Sequence, residues 1–175
     1  MSPAAETRFT ELMNDHGRAV LGYLTRRTDP VPDAADLMAE VFVVVWRRLA
    51  DVPDEPHQAR AWLLGTARGI LANHRRSALR RSQLADRLRQ HLQTQPDTVL
   101  DDTSSLVRSA LDRLSDDDRE LLTLIAWEDV SPSQAAIILG LSAAATRKRL
   151  ERARIRLRAI LDAEEPALLR SAARE

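Results

Sequence analysis

Residues 142–158, SAAATRKRLERARIRLR, hold seven basic side chains against one acid, Glu151. Residues 59–81 hold six arginines and no acid. Cations repeated along a segment in this way make a cationic face, and the chemistry of such a face is noncovalent recognition of a polyanion. Other chemistry finds no footing. The four histidines, His16, His57, His74 and His91, lie far apart with no metal-ligand spacing, and there is neither a phosphate-binding glycine loop nor a nucleophile motif. The sequence therefore offers no catalytic residue, no metal site, no cofactor and no small-molecule substrate, and isolated surface histidines account for the imidazoles.

The formal net charge of zero hides how the charge is distributed. Residues 28–58 carry seven acids against Arg47 and Arg48 and are followed by the first basic run; residues 94–120 carry eight acids against three arginines and come before the second. Two acidic blocks, each followed by a basic one, imply two modules, each with a cationic face. Hydrophobic residues make up 44% of the chain, aromatics only 3%, and no stretch sustains period-two alternation, which points to an all-α fold. The absence of cysteine removes disulfides and thiolate metal sites and suits a reducing cytoplasm. No basic leader followed by an apolar core opens the chain, and no apolar run approaches membrane-spanning length, so a cytoplasmic protein without direct membrane insertion is expected.

The elements that must position these faces are legible from period and punctuation. A first helix is expected over Thr7 to Arg27, with Phe9, Leu12, Met13, Val20, Leu21 and Leu24 inward and TDPVPD ending it. A second runs from Ala34 to Ala50, with Asp33 as its cap and DVPDEP after it. Its run from Val41 to Trp46 would suit a strand by propensity, but the flanks and spacing are helical. The helix then has more apolar surface than one core-facing stripe requires, so it is either buried centrally or meets a partner. A third begins near Pro56 and buries Trp62, Leu63, Thr66, Ile70 and Leu71. Residues 82–104 start as a weak helix and turn polar and acidic, the composition of a flexible linker. Beyond it, Ser104 or Ser105, Ser115 and Ser131 are expected to cap three helices, the last as a capping box with Pro132 at its first position. Gly140 makes a turn, and Ser142 caps a long helix with Thr146, Leu150, Ala153 and Leu157 as its seam. Short helix, glycine turn and long basic helix make a helix-turn-helix, and Ala136 supplies a small residue where the two helices cross.

Together the two halves resemble the extracytoplasmic-function (ECF) group of bacterial RNA polymerase sigma factors. The segments DAADLMAEVFVVVWRRL and ARAWLLGTARGILANHRRSALRR resemble the group's second conserved region. LSDDDRELLTLIAWEDVSPSQAAIILGLSAAATRKRLERARIRLRAIL resembles its fourth. The resemblance spans nearly all of residues 8–162. It implies a core-polymerase-binding and minus-ten-element domain over residues 1–81, a linker over 82–104, and a minus-thirty-five-element helix-turn-helix domain over 105–175. It also explains the surplus surface of the second helix, which in the family docks on clamp helices of the polymerase. Asp36, Met38, Ala39, Glu40 and Val43 are assigned to that contact, with Leu37, Val41, Phe42, Val45 and Trp46 mostly core.

By the same resemblance the third helix meets the minus-ten element. Asn73 falls where the group often places a base-contacting asparagine, and His74, Arg75, Arg76, Arg80 and Arg81 fall where backbone and duplex-edge contacts are made. On the last helix Arg147, Lys148, Glu151 and Arg152 are assigned to the major groove, with Ser142 and Arg149 near phosphates. Arginine can grip guanine at two acceptors and glutamate can accept from cytosine, so this set can discriminate bases. The sequence departs from the family at Ala144 and Ala145, which replace glycine and threonine, and at Thr146, which replaces a valine on the buried seam. The partners implied are core RNA polymerase, promoter DNA and the anti-sigma factor that the family commonly has. A stand-alone helix-turn-helix regulator, binding duplex DNA without polymerase, would explain the second half but neither the basic third helix nor the surplus surface of the second.

Overall fold

The computed structural model describes residues 2–28, 33–89 and 104–172, with side chains described for 2–28, 33–80 and 107–163. Among the described residues every regular element is helical, and none is long and apolar enough to cross a membrane. The chain divides into two compact units.

The first unit is a bundle of α1 (Pro3–Thr25), α2 (Asp33–Arg47) and α3 (Pro56–Arg89). Helix α1 begins a turn earlier than its apolar spacing predicts. Ser2 caps it, accepting the Ala5 N–H at 3.4 Å, and Pro3 follows where its missing N–H costs nothing. Helix α2 ends sooner than predicted. The chain turns through a 3₁₀ segment, Leu49–Asp51, because Val52 precedes Pro53 and is pushed out of the helical region to φ −74°, ψ 123°. Glu55 opens α3 by accepting the N–H groups of His57 at 3.1 Å and Gln58 at 2.8 Å. These two bonds lower its carboxyl pKa.

The core of this unit is Val20, Tyr23 and Leu24 from α1, Leu37, Val41 and Val45 from α2, and Leu63, Leu64 and Leu71 from α3. The valines that favoured a strand are thus half core: Val41 and Val45 are fully buried while Val43 is exposed. On α3 the buried line is completed by Ala59 and Ala67, while Trp62, Thr66 and Ile70 are only half-buried. Trp46, expected in the core, is 38% exposed and rests edge-on against Phe9, ring centroids 4.8 Å apart. The expected linker, 82–104, falls largely outside the described residues; α3 continues to Arg89, and residues 90–103 are not described.

The second unit is built on α4 (Ser104–Asp112), α5 (Asp116–Trp127) and α7 (Ala143–Ala172); the short α6 (Pro132–Leu139) precedes α7 in the chain and belongs to this unit as far as Ala136. Its punctuation follows the sequence. Ser115 Oγ accepts the Asp118 N–H at 3.3 Å. Ser131 and Gln134 cap reciprocally, with Gln134 N–H to Ser131 Oγ at 3.2 Å and Ser131 N–H to Gln134 Oε1 at 2.7 Å. Gly140 takes φ +65°, its N–H donating to Ile137 O at 3.2 Å and that of Leu141 to Ala136 O at 2.9 Å. This paired closure satisfies the last carbonyls of α6 and needs a left-handed residue at Gly140.

Candidate functional site

Helix α7 begins under Ser142, whose Oγ accepts the Ala145 N–H at 3.2 Å and whose carbonyl accepts the Thr146 hydroxyl at 3.0 Å. That bond lets a threonine occupy a fully buried seam position, since its one polar atom is satisfied within the first turn. Leu150 and Ala153 continue the buried line. With about 3.6 residues per turn, Arg147, Lys148, Glu151 and Arg152 fall on the opposite side, and all four are exposed. Three cations and one carboxylate on a solvent-facing helix surface form a donor and acceptor array of the kind that reads base edges.

Arg149 is engaged elsewhere. Its Nε donates to Asp118 Oδ1 at 2.9 Å and its Nη2 to Asp117 Oδ2 at 3.0 Å. Two turns further along α7, Arg156 Nη1 donates to the other oxygen of Asp118. The Asp118 side chain is only 2% exposed. Burial raises its carboxyl pKa, but hydrogen bonds from Arg149, Arg156 and Ser115 outweigh the desolvation and hold it below the ordinary carboxylate value.

On α3, Asn73 and Arg76 are exposed one turn apart, with Arg76 Nη2 donating to Asn73 Oδ1. Arg80 is exposed a turn later, its Nη2 donating to Ser77 Oγ at 3.3 Å. The residues between Asn73 and Arg76 reach back toward the bundle. Arg75 Nη2 donates to the Arg27 carbonyl at 2.8 Å, just beyond the end of α1, and His74 Nε2 lies 3.7 Å from Asp33 Oδ2 at the start of α2. Arg81 lies on the same helix, outside the residues whose side chains are described.

On α2, Asp36, Ala39, Glu40 and Val43 are exposed along one side, with Trp46 in line after them. Met38 is half-buried, its Cε 3.2 Å from where a Cβ on Gly17 would stand. The glycine on α1 thus makes room for the methionine.

Comparison with known proteins matches both units. Sigma-70 region 2 matches residues 12–81, and Sigma-70 region 4 matches residues 104–157. The ECF RNA polymerase sigma factor SigL of Mycobacterium tuberculosis is 31% identical over 84% of this chain and 85% of its own. The RNA polymerase sigma factor CnrH of Cupriavidus metallidurans is 31% identical over 89% of this chain and 87% of its own. This chain is an ECF sigma factor. It binds core RNA polymerase and directs it to specific promoters for transcription initiation, as a transcription factor belonging to a non-enzymatic family.

Solved structures agree. CnrH in complex with the cytosolic domain of CnrY superposes on this sigma factor with a TM-score of 0.59 at 31% identity, covering 89% of this chain and 88% of that one. RpoE from Bartonella quintana, in complex with the anti-sigma factor NepR, gives 0.62 at 23% identity, covering 87% and 95%, which supports the fold.

Several of the residues assigned from the sequence also have partners within the chain. Arg149, expected near a phosphate, has its guanidinium in an ion pair with Asp117 and Asp118. Arg75, expected on DNA, bonds to the carbonyl just beyond the end of α1, and His74, expected there too, lies beside Asp33 at the start of α2. Met38, assigned to the polymerase contact, is packed on α1. Sequence reasoning gave Asp118 only a place in the cap after Ser115 and gave Arg156 no role of its own. The only signal was a run of three acids after Ser115, which reads equally well as favourable charge at a helix N-terminus.

Proposed function

We propose that this sigma factor works through three surfaces. The exposed side of α2, with Asp36, Ala39, Glu40 and Val43, supplies the core-polymerase contact, and Met38 supports it from beneath. Asn73, Arg76 and Arg80 on α3, together with Arg81 and with His74 and Arg75 at their margin, meet the minus-ten element. Arg147, Lys148, Glu151 and Arg152 on α7 read the minus-thirty-five element, with Ser142 beside them. The corresponding division is residues 1–81 for the first domain, 82–104 for the linker and 105–175 for the second domain. The protein acts in the cytoplasm, where its polymerase and promoters are, without an enzymatic activity of its own, and it is held in check by an anti-sigma factor. The relatives solved with NepR and with the cytosolic domain of CnrY support that last element.

The observation that carries the docking assignment is Val43, 48% exposed on the same side of α2 as the exposed carboxylates of Asp36 and Glu40 and about a turn beyond the latter. An apolar strip gives contact area, and flanking acids steer a basic partner into register. Glu40→Lys reverses that steering charge, and Val43→Asp puts a charge where the contact must be dry. Each should lower affinity for core polymerase at least tenfold, about 1.4 kcal/mol, with the melting temperature nearly unchanged. Met38→Asp is not a clean probe, because its side chain is half-buried and the variant would destabilise the bundle. A titration against core enzyme beside a melting curve checks the assignment. Undiminished affinity in both variants would remove α2 from the interface.

A further inference from the structure

Helix α7 carries the reading face, yet its apolar seam is made of small and medium side chains: Thr146, Leu150 and Ala153. Apolar contact is non-directional, and a seam of this kind resists separation better than it resists rotation. A rotation of roughly 20° would move side-chain ends at a radius of about 5–6 Å by roughly 2 Å, which is more than a base-edge hydrogen bond tolerates. Something directional must set the angle.

We propose that Asp118 is the positioning residue for the reading helix: its carboxylate, gripped by Arg149 and Arg156, fixes the rotation and axial register of α7 and so sets minus-thirty-five discrimination. The two arginines are seven residues apart and lie on nearly the same line of the helix, between the buried seam and the exposed reading face. Each takes a different oxygen of one carboxylate, Arg149 through Nε at 2.9 Å and Arg156 through Nη1. Donors two turns apart converging on one acceptor group resist both sliding and rolling, which neither could do alone. The carboxylate is itself fixed. Asp118 lies in the first turn of α5, its N–H bonded to the Ser115 cap, and its side chain is 2% exposed. Arg149 also reaches Asp117 at 3.0 Å, so the grip spans two successive residues of α5. Arg119 is spent elsewhere, on Asp112 and the Leu111 carbonyl of α4 and on Asp116 of its own helix.

The proposal rests on α7 being the reading helix, and its test separates the two. The full-length protein with core polymerase is assayed on a promoter and on variants with single upstream base changes, for the wild type, Asp118→Asn, Arg156→Gln and Arg147→Ala. Asp118→Asn keeps the shape and loses the charge; the Arg156 side chain is 57% exposed, so Arg156→Gln leaves the fold intact. Both should shrink the ratio between matched and mismatched upstream elements at least fivefold, with the salt dependence of binding little changed. A purely structural defect lowers the active fraction for all sequences alike and leaves that ratio untouched, and a lost phosphate contact changes the salt slope instead. If Arg147→Ala relaxes preference at particular bases while Asp118→Asn and Arg156→Gln keep the wild-type ratio, the positioning role is wrong and the reading helix stands. If Arg147→Ala also leaves base preference unchanged, α7 is not read through this face, and the positioning role falls with it.

Discussion

Asp118 is a buried carboxylate whose worth depends on its partners. Taking the ion from water is costly, and two guanidiniums and a serine hydroxyl offset that cost together. Its pKa is lowered in the folded chain despite burial, so the folded state binds fewer protons there than the unfolded state over the acid range. The stability this contributes is therefore fully present above the ordinary carboxylate value and is lost as pH falls through the lowered folded value. Asp118→Asn should melt below the wild type at neutral pH, and the gap between the two should narrow as pH drops through that window. A gap that stays constant from neutral to strongly acid solution would mean the ionised form is not what the arginines hold. Arg149 illustrates how far single residues can be read from sequence. Its position on a basic helix was plain, but its partners are 31 and 32 residues away, and a cation on a helix margin has the same spacing whether it faces phosphate or a carboxylate.

At the scale of elements the sequence is most legible where side chain and backbone bond locally. Ser115, Ser131, Ser142 and Gly140 were all found where a cap or turn was expected, because each depends on groups within five residues of itself. Burial inside α2 followed its spacing at Leu37, Val41 and Val45. It failed at Trp46, where a large aromatic reads as core from composition but the helix is already ending and the ring, edge-on to Phe9, stays 38% exposed. Contacts between helices, such as Arg75 to the Arg27 carbonyl, leave no periodic trace and could not be foreseen. Gly140 gives the sharpest test at this scale. It stands at φ +65° with open space where a Cβ would go, so the effect of a side chain there is one of backbone conformation alone. Gly140→Ala should cost roughly 1–2 kcal/mol, and Gly140→Asn less, since asparagine tolerates the left-handed region. Chemical denaturation of the three proteins checks the order; equal stability of the alanine variant would show that the turn has another conformation in solution.

For the whole molecule the balance of charge decides how the two units can work. With 26 basic and 26 acidic residues, no net field draws the free chain to DNA. The exposed cations of α3 and α7 act only within a screening length, about 8 Å at physiological ionic strength. Each face is also small, a few side chains on one helix, which suits modest affinity and modest discrimination by itself. Linked sites gain much more than either alone, but only when both can engage at once. Core polymerase, which on the proposed assignment is held through the exposed side of α2, is what brings promoter and protein together for that. The free chain should therefore bind promoter duplex weakly and barely better than a scrambled sequence. Adding core enzyme should raise the preference at least tenfold, about 1.4 kcal/mol, and base changes in the upstream and minus-ten elements should then weaken it independently. The measurement is competition binding at fixed salt with and without core polymerase, on the promoter, on each single-element variant and on scrambled DNA. A free chain that chose its promoter as sharply as the holoenzyme would behave as a stand-alone helix-turn-helix regulator, and the exposed strip on α2 would need a different partner.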